Sequence, residues 1–383
     1  MSLRSLPSRI GVSQLVALAF LLVFAMQCVW FMAHQPLAAT ESVYVEAGLL
    51  HLEHFASANT SQHTALVPLM AGLVARLSGA EKHVTEFNDY RLVIRLPFLM
   101  AGVALGASLW YVARRLYGNI GGYVALILYC FSPLTIASSG QVGPAVVGAW
   151  GAFGLIFTAI AVAHTLYAPR EVVLWNWRRI LLMGLSIAIC VGAQFSLWVL
   201  LIPALVFMLW VGHVRPLAAL AIFAAACVVG VVLLSSMYDF NLVAYSKALR
   251  SADWLEIGSR DFVAPGISWL ASTFFRENGL GLAILTAVTV VTFIVWKRSR
   301  FFGTAAPLLV SLLLFSLGIR MQFSAFLFWI VALPFLMLFM AGVSADLLES
   351  RYALAANAVV FGVLIANAMI DIYGLLNLSP RTR

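Results

Sequence analysis

The chain has 383 residues, of which 63% are hydrophobic and 10% charged, against roughly 25% charged in an ordinary soluble domain. No single water-soluble core absorbs that much apolar surface, and apolar runs of about 18 residues or more recur along the sequence, so the bilayer is the solvent. The formal net charge of +8 is spread as short basic pairs at the ends of the apolar runs, a topological pattern that sets nucleic acid aside as a partner.

The first apolar run, about 11–33, follows Arg4 and Arg9. It exceeds the roughly 7–15 residues of a signal-peptide core and reads as a retained helix. Residues 40–58 read next as an amphipathic helix capped by Thr40, with Glu41, Glu46, Glu53 and His54 on its polar side. His63 to Gly79 is a second amphipathic stretch of 17 residues, marginal for a crossing and suited to lying at the interface. Ten further runs follow at about 93–113, 119–139, 145–167, 180–194, 196–212, 216–236, 278–296, 303–319, 323–343 and 352–373. The expectation is an all-α polytopic membrane protein of about ten or eleven transmembrane helices, forming one transmembrane domain over 1–383.

With the amino terminus in the cytoplasm, Arg114-Arg115, Arg170, Arg178-Arg179, Arg215, Lys297-Arg298-Arg300 and Arg351 all fall inside. The inner side then carries 12 Lys/Arg against 3 Asp/Glu, and the outer side 11 against 12. The inner basic residues sit in loops of a few residues, where they set orientation. Reading 180–212 as one long tilted helix would throw Lys297-Arg298-Ser299-Arg300 to the outside, so two crossings split at Gln194-Phe195-Ser196 are expected. The long segments 34–92 and 237–277 are then both outer loops, and chemistry is expected there. Membrane lipids are the default partners.

Cys28, Cys130, Cys190 and Cys227 stand singly in apolar runs, which suggests neither a disulfide framework nor a metal knuckle. His51 and His54, with Glu46 or Glu53, offer a divalent-metal reading, against which a plain polar helix face weighs more heavily. The second outer loop mixes Lys247, Arg250, Arg260 and Arg276 with Trp254, Trp269 and Phe274-Phe275. That composition suits a headgroup belt or a cover over a lipid-phosphate cavity. Arg320 lies between apolar runs, where a charge is costly unless it pairs or snorkels.

Several short motifs recur in a telling order: Glu41 with Tyr44, then Val67-Pro68-Leu69 running to Leu77-Ser78-Gly79, then Arg95-Leu96-Pro97, Ala113-Arg114-Arg115-Leu116-Tyr117-Gly118 and Ser132-Pro133. Over roughly the first 40% of the chain this series resembles the GT-C membrane glycosyltransferases of the protein O-mannosyltransferase and aminoarabinose-transferase type. The family's acidic pair stands here as Thr40-Glu41, and its later aspartate region reads Gln141-Val142-Gly143-Pro144.

The resemblance implies a GT-C-like fold with interfacial outer helices, and sugar transfer from a polyprenyl-phosphate donor at the outer face of a bacterial inner membrane. It also implies Glu41 as general base with Glu46 second, and Tyr44, Arg95, Lys247, Arg250, Arg260 and Arg320 as substrate-binding residues, with no metal required. A non-catalytic GT-C-like subunit that binds lipid or holds membrane-protein partners is the alternative, and a lipid-linked substrate transporter a weaker one.

Overall fold

The computed structural model describes residues 11–53, 64–80, 84–167, 177–251, 279–295, 301–320, 325–350 and 353–377. Apart from turns and short 3-10 segments, these residues are helical: α1 Val12–His34, α2 Ala39–Glu53, α3 Leu66–Leu77, α4 Arg91–Cys130, α5 Pro133–Ser139, α6 Pro144–Thr165 and α7 Trp177–Ala193. There follow α8 Leu201–Val211, α9 Pro216–Ser236, α10 Leu242–Ser251, α11 Gly279–Val295, α12 Phe301–Arg320, α13 Ala325–Leu348 and α14 Ala353–Leu376. Among the described residues, six helices are long and apolar enough to cross a membrane, and shorter apolar helices lie between them. All eleven expected crossings correspond to helical segments.

α4 covers one of them and most of a second. Gly118 adopts φ 80° and ψ −175° inside it, a conformation open essentially to glycine alone. The chain reverses there, and the 119–130 arm returns along the 91–117 arm. The Tyr129 hydroxyl donates to the Gly102 carbonyl, 27 residues earlier in the chain, at 2.7 Å, and a side chain on Gly106 would strike the same tyrosine ring.

The 180–212 region also folds as two antiparallel crossings. Arg179 at the start of α7 donates to Ala161 O, and Tyr167 donates to Val211 O at the end of α8. Both far ends therefore lie beside the end of α6. Gln194, extended at φ −154° and ψ 127°, makes the reversal.

Helix α13 is the axis of the bundle: it is buried almost throughout and packs against α4, α6, α11, α12 and α14. Glycines let its neighbours approach. Gly151 of α6 lies against the Cys190 backbone of α7, and Gly184 of α7 against Val229 of α9, the close contact that small residues permit between membrane helices.

Helices α2 and α3 cap one end. Gly48 and Gly72 cross so closely that a Cβ on Gly48 would overlap the Pro68 carbonyl. His51 donates its Nε2 proton to Met237 O at 2.9 Å, and Thr64 donates to Ala193 O at 2.8 Å, which ties the α2–α3 pair to the ends of α9 and α7. Arg114, Arg115, Arg178, Arg179 and Arg215 all lie at the opposite end.

Candidate functional site

α2 starts one residue before the expected cap. Ala38 accepts the first helical bonds, from Glu41 and Ser42, and is the N-cap in place of Thr40. Glu41 is then the third helical residue, and its Oε2 reaches back to the Ala38 amide at 2.8 Å. This is the acidic half of a capping box, placed where the helix N-terminus favours negative charge.

The same carboxylate receives Arg95 from the first turns of α4. Arg95 Nε donates to Oε1 at 2.9 Å and Nη2 to Oε2 at 2.6 Å, with 1% and 3% of the two side chains exposed. Val142 closes the set, its amide donating to Oε1 at 2.7 Å. Each carboxylate oxygen thus holds two N–H donors. The guanidinium is equally engaged: Nη1 donates to Met32 O and Gln35 O, and Nη2 also to Pro36 O, so all five donors are used.

Four separate stretches meet at this pair: the end of α1, the start of α2, the start of α4, and the segment between α5 and α6. Beside it, Arg91 donates to Ala33 O at 2.9 Å and the Leu37 amide to Asn88 Oδ1 at 3.1 Å. A buried ion pair is costly unless every lone pair and proton is met, and here they are met. Thr40, beside Glu41, and Gln141, in the 141–144 stretch, are both exposed next to it.

The other expected residues are dispersed around this end. Glu46 is exposed on α2, and Tyr44 is half-buried, its phenol pushed up from the usual range by burial. Lys247 and Arg250 lie on the exposed face of α10, opposite the buried Ala248. Arg320 ends α12 at the same end; its side chain, like Arg260, Arg276 and His54, lies outside the described residues. Among the described residues no group of three or more His, Cys, Asp or Glu is placed to hold a metal ion, and His51 is turned onto the Met237 carbonyl.

Two participants escaped the sequence reading. Val142 acts through its backbone, which no side-chain pattern reveals. Asn88 sits in a 3-10 turn, Val84–Tyr90, where an amide side chain facing a neighbouring loop has no periodic signature.

No family model and no curated protein matches the sequence. Solved structures do. ArnT from Cupriavidus metallidurans superimposes with a TM-score of 0.62 at 12% identity, covering 94% of this chain and 74% of ArnT. The fold is that of the GT-C membrane glycosyltransferases. The undecaprenyl-phosphate-bound form of ArnT gives a TM-score of 0.60 at 12% identity over 96% of this chain and 76% of that one. The Archaeoglobus fulgidus oligosaccharyltransferase with a tethered acceptor peptide gives 0.61 at 10% identity. There the match covers 95% of this chain but 55% of the other, so the chain spans about half the length of that relative.

Proposed function

We propose that this GT-C-fold protein transfers a sugar from a polyprenyl-phosphate donor to an acceptor at the outer face of a cytoplasmic membrane. The observation that carries the reading is the coincidence of fold and motif. A chain aligned over 94–96% of its length with ArnT brings Glu41, Arg95 and the 140–143 segment together at one end. The basic loops gather at the other end, which the positive-inside rule assigns to the cytoplasm.

Two of the solved relatives hold lipid phosphates, ArnT with undecaprenyl phosphate and the Archaeoglobus fulgidus enzyme with dolichol-phosphate. Lys247 and Arg250 on α10, with Arg320 and Arg260, are the cations that would receive such a phosphate.

The roles of the two carboxylates divide by geometry. Glu41, already accepting four N–H donors, has no lone pair left for an acceptor proton, and its role is to lock the site's backbone together. Glu46, exposed on the same helix, is the general base of this proposal. The test is sugar transfer from a synthetic polyprenyl-phosphate sugar by the purified chain, with Glu46→Gln as the diagnostic variant. Transfer by the parent chain and its loss in the variant support the reading. A parent chain that binds the lipid and transfers nothing is the non-catalytic scaffold instead.

A further inference from the structure

The crossing expected at 119–139 is broken. α4 ends at Cys130, α5 restarts at Pro133, and Phe131 lies between them, outside either helix. Proline has no amide to offer the carbonyl four residues back, and the Thr135 hydroxyl takes that place, donating to Tyr129 O at 2.7 Å. The Phe131 carbonyl is met from another helix: Asn367 of α14 donates Nδ2 to it at 2.9 Å. The other proton of that amide goes to Asp371 Oδ2 at 3.1 Å.

Asp371 is 4% exposed. It lies one turn from the α2 end, where Trp30 donates its indole N–H to Leu375 O at 3.3 Å. Among the described residues, the spans packed against α14 supply no Lys or Arg. On α1, Cys28 donates to Ile136 O and His34 places Nδ1 on Trp30 O, and Gln27 buries an Oε1 with no partner. α5 and α11 contain no titratable residue, and the carboxyl group of α13, Asp346, lies at its far end. An ionised carboxylate held by one amide is unfavourable in such surroundings, whereas the neutral acid can both accept from Asn367 and donate.

We propose that Asp371 and Asn367 are positioning residues: Asp371, as a neutral acid, orients the Asn367 amide, which fixes the helix break and through α5 the 140–143 segment seated on Glu41. The path is short. α5 ends at Ser139, Gly140 packs against the Phe31 ring, and Val142 donates to the carboxylate. The importance of this latch for turnover rests on the proposed function, but its structural content does not.

The experiment uses the full chain purified in detergent, with exposed Gln141 replaced by cysteine as the reporter and Asn119→Cys at the opposite end as the reference. Each is labelled with a polar maleimide, and the parent chain supplies the background from its own cysteines. Asp371→Asn, a neutral isostere, leaves the Gln141→Cys rate unchanged. Asp371→Ala and Asn367→Leu change that rate by about fivefold or more through local opening, while the Asn119→Cys rate holds. Unchanged labelling in both disruptive variants overturns the latch, as does an equal change at both reporters. An Asp371→Asn chain that behaves like Asp371→Ala overturns the neutral acid. Labelling does not depend on sugar transfer, so failure of the enzymatic reading leaves this result standing.

Discussion

Arg95 and Glu41, 54 residues apart, are joined by two parallel hydrogen bonds, Nε to Oε1 at 2.9 Å and Nη2 to Oε2 at 2.6 Å. The pair is buried and completely satisfied, so it acts as a clasp on four segments of backbone. It is also the point where the GT-C-like motifs at Glu41 and at Arg95-Leu96-Pro97 become one structure.

Removing one partner leaves the other charge buried and unpaired. Arg95→Leu or Glu41→Ala should each cost about 3–5 kcal/mol. Glu41→Met combined with Arg95→Leu should recover part of that loss. Thermal unfolding in detergent reads both effects. A single variant as stable as the parent would show that the clasp carries no weight.

The two carboxylates of α2 should separate kinetically. Glu46→Gln is expected to lower kcat by about a hundredfold or more with little change in thermal stability. Glu41→Gln should lower stability first and activity only as a consequence. The reverse pattern, an active Glu46→Gln chain and a folded but dead Glu41→Gln chain, returns the base to Glu41.

Gly48 and Gly72 make a steric prediction. A Cβ at Gly48 would meet the Pro68 carbonyl and the Gly72 backbone, and one at Gly72 the Gly48 backbone. Gly48→Ala should cost about 1–3 kcal/mol by overpacking and should loosen α2 from α3, seen as faster proteolysis of 39–77. Gly362 has open space around it, so Gly362→Ala on α14 is the matched control and should be nearly neutral.

Orientation is checked with single cysteines in sealed membranes of known sidedness. Asn119→Cys beside the Gly118 turn should react only from the cytoplasmic side, and Gln141→Cys only from the outer side. Labelling of both from one face would contradict the alternation of crossings, and the opposite assignment would invert the proposed site.

Much of the fold was legible in the chain itself because apolar length is a direct consequence of bilayer thickness. The eleven expected crossings reappear as helical segments, the gap between 93–113 and 119–139 is a reversal at Gly118, and the split at Gln194 is a second reversal. Helix ends were read less well. Thr40 looked like the cap by residue type, yet Ala38 is the cap, and Glu41 three residues on accepts the amide of that cap residue. The break at Phe131 was hidden inside an unbroken apolar run, although Pro133 marked it.

The candidate site divides in the same way. Sequence alone singled out Glu41 and Arg95 at the α2 end, since charges in so apolar a chain are few and each has to be accounted for. It also placed the basic loops at one end and the amphipathic helices at the other. Whether a given carboxylate is free or engaged depended on atoms brought in from distant segments: a guanidinium from α4 and a backbone amide at Val142. Those donors are invisible in the local pattern around Glu41, because a buried charge is satisfied by geometry in three dimensions and backbone amides carry no residue identity. Tertiary structure therefore decided that Glu41 holds the site together, and left Glu46 facing outward on the same helix.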